Sequence, residues 1–334
     1  MFKKSIFVLI FHISFSLSQN LIVLNKFDNT AMIFDLKTDK LITQFQTGEG
    51  PHEVAISPNR KYAVITNYGT REKPGNSLTL YNLEKLTVEK TINLGDFRRP
   101  HGIEWIDNEK VIITAETNKS IIIVDVKNEK IVASVKTEQE VSHMLALSAD
   151  KSRCFVANIG SGSMSVIDLK EMKLVKNIST GRGSEGIDVS PDGAEIWVTN
   201  RAEDSVAVID AKTLEVKLKF KVEGFPIRVK FSKDGKYAVI SSARSGEITI
   251  VDAKSKEILK RIKTAEKSDV EKTGRLFGSA FGDSPVPIGI AIGRDNIIYV
   301  ANSNADIVSV IDIKAGKVVK TIGTGKEPDG IGLW

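Results

Sequence analysis

The stretch Gly186-Ile187-Asp188-Val189-Ser190-Pro191-Asp192-Gly193-Ala194-Glu195-Ile196-Trp197-Val198-Thr199-Asn200 decides the fold. Two β-branched, alternating runs flank a Pro-Asp-Gly corner, the pattern of two antiparallel strands joined by a turn. A third run, Ser205-Val206-Ala207-Val208-Ile209, ends at Asp210, and a fourth covers residues 215–222. Working outward, the ending "apolar-x-apolar-Asp, then a Lys-rich turn" recurs at Asp35, Asn82, Asp125, Asp168, Asp210, Asp252 and Asp312. Successive spacings are 47, 43, 43, 42, 42 and 60 residues. A period near 42 with four short strands per unit is that of a β-propeller blade, and seven units predict an all-β, seven-bladed propeller. No stretch carries a helical period.

Trp197-Val198-Thr199-Asn200, Phe155-Val156-Ala157-Asn158 and Tyr299-Val300-Ala301-Asn302 stand at one repeat position, each followed by a Val-Ile-Asp strand end. The chain resembles the YVTN-repeat, YncE-like propellers from about residue 21 to the C-terminus. That resemblance is specific for fold and poor for function. The first unit lacks a first strand, starting at Leu21-Ile22-Val23-Leu24-Asn25, while the chain ends on an orphan first strand, Pro328-Asp329-Gly330-Ile331-Gly332. The C-terminal strand is therefore expected to complete the N-terminal blade, closing the ring and hiding both edges.

Residues 2–18 read as a signal peptide: Lys3 and Lys4, an apolar segment at 6–15, and Ser16-Leu17-Ser18 as a small-x-small cleavage site. The apolar run is shorter than the roughly 20 residues of a bilayer span. The expected product is one propeller domain, residues 19–334, periplasmic or secreted, monomeric and without a transmembrane segment. Setting Lys3 and Lys4 aside, 45 basic residues face 42 acidic ones, a net of +3 spread over all repeats. Such dispersed charge does not suggest nucleic acid as a partner, although YncE-like relatives include a DNA binder. Cys154 is the only cysteine, so no intramolecular disulfide forms.

In the family fold the first strand of each blade is innermost, and its start shares a face with the loop between second and third strands. Aligning these starts gives seven equivalent positions: His52, His101, His143, Glu185, Ile227, Ile288 and Asp329. Apart from His12, every histidine of the chain falls in this ring, on three consecutive blades. Three imidazoles with Glu185 or Asp329 form a ligand set for a divalent transition metal such as Zn, Cu, Fe or Ni. An organic ligand held without metal, and a structural role at a wet channel mouth, stay open beside it. The same face collects Glu53 and Arg228 next to the ring, Tyr68, Glu116 and Arg201 after second strands, and Arg244 nearby. Arginines at a concave mouth suit a carboxylate or phosphate.

Two insertions fall on this face. Residues 69–76 read as a lengthened loop between second and third strands. Residues 264–287, with Phe277 and Phe281 among glycines, read as a mobile lid over the channel. The aspartates after the third strands read as turn-formers on the opposite face.

These features point to a propeller binding a small ligand or metal at the three-histidine mouth. A propeller hydrolase or lyase, lactonase-like or metal-dependent, is the alternative that the resemblance supplies, and a scaffold for an envelope protein partner is a further one. The histidine ring resembles in arrangement those that handle haem in nitrite-reductase propellers. No Cys-x-x-Cys-His is present, so covalent c-type haem is excluded.

Overall fold

A computed structural model describes residues 19–266 and 270–334; the signal peptide read at 2–18 lies outside the described residues. Seven four-stranded antiparallel sheets stand around a central channel. Blade 1 combines Pro328–Leu333 with the strands Asn20–Asn25, Thr30–Asp35 and Lys40–Gln46, and blades 2 to 7 follow in chain order. Their inner strands are Pro51–Ile56, Pro100–Trp105, Ser142–Leu147, Ser184–Val189, Pro226–Phe231 and Pro287–Ile292. Among the described residues no helix is long and apolar enough to cross a membrane.

Blade-on-blade stacking explains why the middle strands are apolar at nearly every position. Successive side chains of a strand point to opposite faces, and here both faces meet a neighbouring blade. Ile196 and Val198 pack with Met144, Phe155 and Val166 of blade 4. Trp197, between them, packs with Val229, Phe231 and Val251 of blade 6. Thr199 Oγ1 accepts from the Gly186 amide at 2.8 Å and donates to the carbonyl of Ile227 at 3.1 Å, tying inner strands of neighbouring blades. Asn200 donates to Thr180 O at 3.1 Å and Ser205 Oγ at 3.2 Å. The repeated motif is thus structural at every position, and its asparagines serve the blade corners. The strand-end aspartates form Asx turns: Asp168 Oδ1 accepts from the amides of Lys170 and Glu171 at 2.9 and 2.8 Å.

Ring closure takes the expected form. Pro328–Leu333 runs antiparallel to Asn20–Asn25 with Val23 opposite Ile331. Blade 1 buries Leu21 and Val23 against Tyr299, Val308 and Val310 of blade 7. Ile22 and Leu24 pack against Ile65 and Tyr81 of blade 2.

The two insertions behave differently. The reading of 69–76 as a long loop is corrected: Tyr62–Gly69 and Pro74–Asn82 remain paired with Gly69 opposite Pro74, so only residues 70–73 turn. Glycine permits this close pairing, because a Cβ on Gly75 would stand 2.1 Å from the carbonyl oxygen of Asn67. The second insertion joins Ile258–Lys263 to Pro287–Ile292. Phe277 and Phe281 stack with centroids 4.9 Å apart and pack with Phe225, Ile227 and Ile288. Arg275 anchors the segment through a two-pronged contact with Asp306 at 2.6 and 2.8 Å, and Asn304 Nδ2 donates to Gly278 O at 2.9 Å.

Candidate metal centre

One local device, repeated seven times, brings the mouth residues to a common height. Two positions before each ring residue the backbone is left-handed: Gly50, Arg99, Val141, Gly183, Phe225, Val286 and Glu327 have φ between 53° and 73°. The carbonyl of each accepts from an amide at the end of that blade's second strand, at 2.9–3.2 Å. Those amides belong to Lys26, Tyr68, Glu116, Ile159, Arg201, Ala243 and Ser303. Val141 and Val286, β-branched, adopt this conformation against their preference, so the turn is imposed by the ring rather than by local sequence. The result is two stacked seven-membered rings, one from inner-strand starts and one from loop starts.

The first ring brings the histidines together. Ring centroids of His52 and His101 lie 4.0 Å apart, those of His101 and His143 3.5 Å, and those of His52 and His143 6.4 Å. His52 is 5% exposed, His101 0% and His143 8%. His143 Nδ1 hydrogen-bonds Glu116 Oε1, and its Nε2 lies 3.5 Å from Glu185 Oε1. Tyr68 donates its hydroxyl to Glu116 Oε2 at 2.5 Å. His52 Nδ1 lies 3.2 Å from Asp329 Oδ2, outside hydrogen-bonding geometry. His101, in the middle, has no hydrogen-bond partner among the described residues on either ring nitrogen.

Burial sets the charge states. It depresses the pKa of His101 well below the ordinary histidine value, aided by the neighbouring histidines, and does the same to His52, aided by Lys26. Burial would lower His143 too, but Glu116 and Glu185 outweigh it and hold that pKa above the ordinary value. For Glu185, Arg201 and His143 overcome a burial penalty of opposite sign and bring the carboxyl down to about 2. Asp329 is pushed up to about 7, by burial first and by Glu53.

Arg228 is a buried charge in the inner strand Pro226–Phe231. From blade 6 it reaches across the channel to Glu53 of blade 2, Nη2 to Oε1 at 2.6 Å, with Nη1 3.4 Å from Glu185 Oε1. Both partners are carboxylates, Glu185 buried and Glu53 only 15% exposed. Arg228→Leu is therefore expected to destabilise the protein by about 3–5 kcal/mol, since a buried pair broken from one side leaves charge uncompensated. Urea unfolding at pH 7 measures it, and a loss below about 1 kcal/mol would show the bridge to be dispensable.

Ile227 and Ile288 form the apolar sector of the first ring, capped by Phe225, Phe277 and Phe281. Arg201, Nη1 2.6 Å from Glu185 Oε2, lies over one side of Phe225 at 5.1 Å. Arg244 is exposed and lies over the same ring at 5.1 Å and over Phe281 at 5.6 Å. Sequence reading missed Lys26, 3.6 Å from Asp329, and Arg99, over the Tyr68 ring at 4.9 Å. Lys26 was within reach of the repeat alignment, as the blade 1 counterpart of Tyr68, Glu116 and Arg201.

Among the described residues, two overlapping sets can hold an ion. Ligand atoms of His52, Glu53 and His101 lie within 4.8 Å of one another, as do those of His101, Glu116 and His143. His101 belongs to both. Neutral imidazoles with carboxylates suit borderline divalent ions.

A family model described as "YNCE-like beta-propeller" matches residues 76–273, more than half of the chain. The chain belongs to the YNCE-like β-propeller family. Among solved structures, a chain of Kuenenia stuttgartiensis hydrazine synthase aligns with this YNCE-like propeller at a TM-score of 0.66 and 18% identity, over 86% of this chain and 90% of that one. At that identity the likeness is one of fold. No curated protein sequence matches.

Proposed function

We propose that this YNCE-like propeller works outside the cytoplasm and holds one transition-metal ion at the inner ends of blades 2, 3 and 4, through His52, His101 and His143. A single observation carries the reading: His101 is fully buried and both of its ring nitrogens lack a partner among the described residues. Buried polar atoms are nearly always satisfied, and leaving one unpaired costs about 1–3 kcal/mol. An ion ligated by one of these nitrogens removes that nitrogen's share of the cost. Glu116, itself held by Tyr68, orients His143, as outer carboxylates orient metal-ligating histidines. The signal-peptide pattern at 2–18 supports the extracytoplasmic setting. The near-complete burial of the three rings favours holding an ion over turning over a bulky substrate, which sets the hydrolase and lyase readings second.

Dialysis of metal-stripped full chain against Zn²⁺ at pH 8 tests this, with one ion retained per protein as the expected result. The pH dependence follows from the charge states. His52 and His101 are neutral well below pH 6.5, so they release no proton on binding. His143, with its raised pKa, keeps its proton to higher pH than an ordinary histidine and must lose that proton before it ligates. Affinity should be full above its pKa and fall about tenfold per pH unit below it, one proton per ion. Glu116→Gln should move the onset to lower pH. Affinity unchanged from pH 8 to pH 5, or no retained ion, would count against the site.

A further inference from the structure

We propose that the vestibule over the apolar sector binds a small organic carboxylate with an apolar body, its carboxylate between Arg201 and Arg244 and its body on Phe225, Phe277 and Phe281. The two guanidinium groups lie over the Phe225 ring at the same distance, 5.1 Å, and Arg244 also lies over Phe281. Arg201 is held in place by Glu185. Arg244 makes no side-chain hydrogen bond or ion pair with any described residue, so its five donors stay available for planar recognition of a carboxylate. Phe225, Phe277 and Phe281 are each only partly buried, with centroids 4.9–6.3 Å apart. The mouth is thus amphipathic: a cationic rim beside an aromatic wall, with the histidines on the opposite side of the channel.

Charge balance beneath the vestibule works in the same direction. Glu53, Glu116, Glu185 and Asp329 face Lys26, Arg201 and Arg228, so four acidic groups meet three permanent cations. A divalent ion among the imidazoles adds positive charge to this cluster, and an anion above it is favoured further. This second argument rests on the proposed metal; the vestibule geometry does not.

Benzoate is the probe, titrated calorimetrically into full-length protein with and without Zn²⁺, with acetate, benzamide and inorganic phosphate as comparisons. Saturable benzoate binding is expected in both forms, tighter with zinc, with the three comparison compounds weaker by about tenfold or more. Arg244→Ala should weaken benzoate about tenfold while Zn²⁺ retention stays at the wild-type level. Phe281→Ala should weaken benzoate and leave acetate unaffected. Absence of saturable benzoate binding, equal affinity in Arg244→Ala, or phosphate binding as tightly as benzoate would overturn the proposal. A protein that binds benzoate but retains no zinc would instead sink the metal reading and leave the vestibule standing.

Discussion

Removing residues 328–334 should abolish cooperative folding of the propeller. Those residues supply the inner strand of blade 1, with Val23 opposite Ile331 and Leu21 opposite Leu333. Pro328, Asp329 and Gly330 are themselves buried between blades 7 and 2, and the amide of Lys26 is bonded to Glu327 just before the strand. Truncation leaves Leu21 to Leu24 with an open edge and separates the apolar faces that blade 1 shares with both neighbours. A cost above about 5 kcal/mol follows, comparable with the net stability of many whole domains. The free edge is also a template for pairing with another chain. Calorimetry and size-exclusion chromatography provide the check: the truncated protein should show no sharp transition and should aggregate. A melting curve like that of the full chain would mean that the other six blades close without it.

His101→Ala should abolish retention of zinc, with affinity reduced at least about a hundredfold, while the metal-free protein keeps its stability within about 1 kcal/mol. The first half follows because His101 belongs to both candidate ligand sets. Changing a group that merely orients a ligand already costs ten- to a hundredfold in affinity, and losing the shared ligand costs more. The second half follows from opposed terms. Alanine leaves a cavity beside His52 and His143, but it also removes two buried nitrogens that have no partner. Zinc at a hundred times its Kd should raise wild-type stability by about 2.7 kcal/mol, and should not raise that of the variant. A variant that keeps its ion, or whose metal-free form no longer folds, would return His101 to a structural role.

The YNCE-like architecture was legible in the repeat, because a blade is a local object. Four short strands, a Pro-Asp-Gly type corner and an Asx turn each form from residues close in sequence, so their period exposes the blade count. Ring closure was legible for the same reason: the first unit is short of one strand and the chain ends on one to spare. Residues 69–76 went astray because a Pro-Gly-rich segment signals a loop by composition, whereas Gly69 opposite Pro74 continues the hairpin.

The repeat also determined by itself that His52, His101 and His143 share one height and adjacent blades, since equivalent positions of a ring stand at equal radius. Only the tertiary structure decided what each meets there. Arg228 and Glu53 are 175 residues apart in sequence and meet because they face each other across the channel. Tyr68, Glu116 and His143 come from three blades and form one hydrogen-bonded chain, leaving His101 between its neighbours with no partner among the described residues. A repeat sets the radius and height of a side chain. Its reach across the axis, and so its partner and its charge, depends on side-chain length and on what the other blades present, which no periodicity encodes.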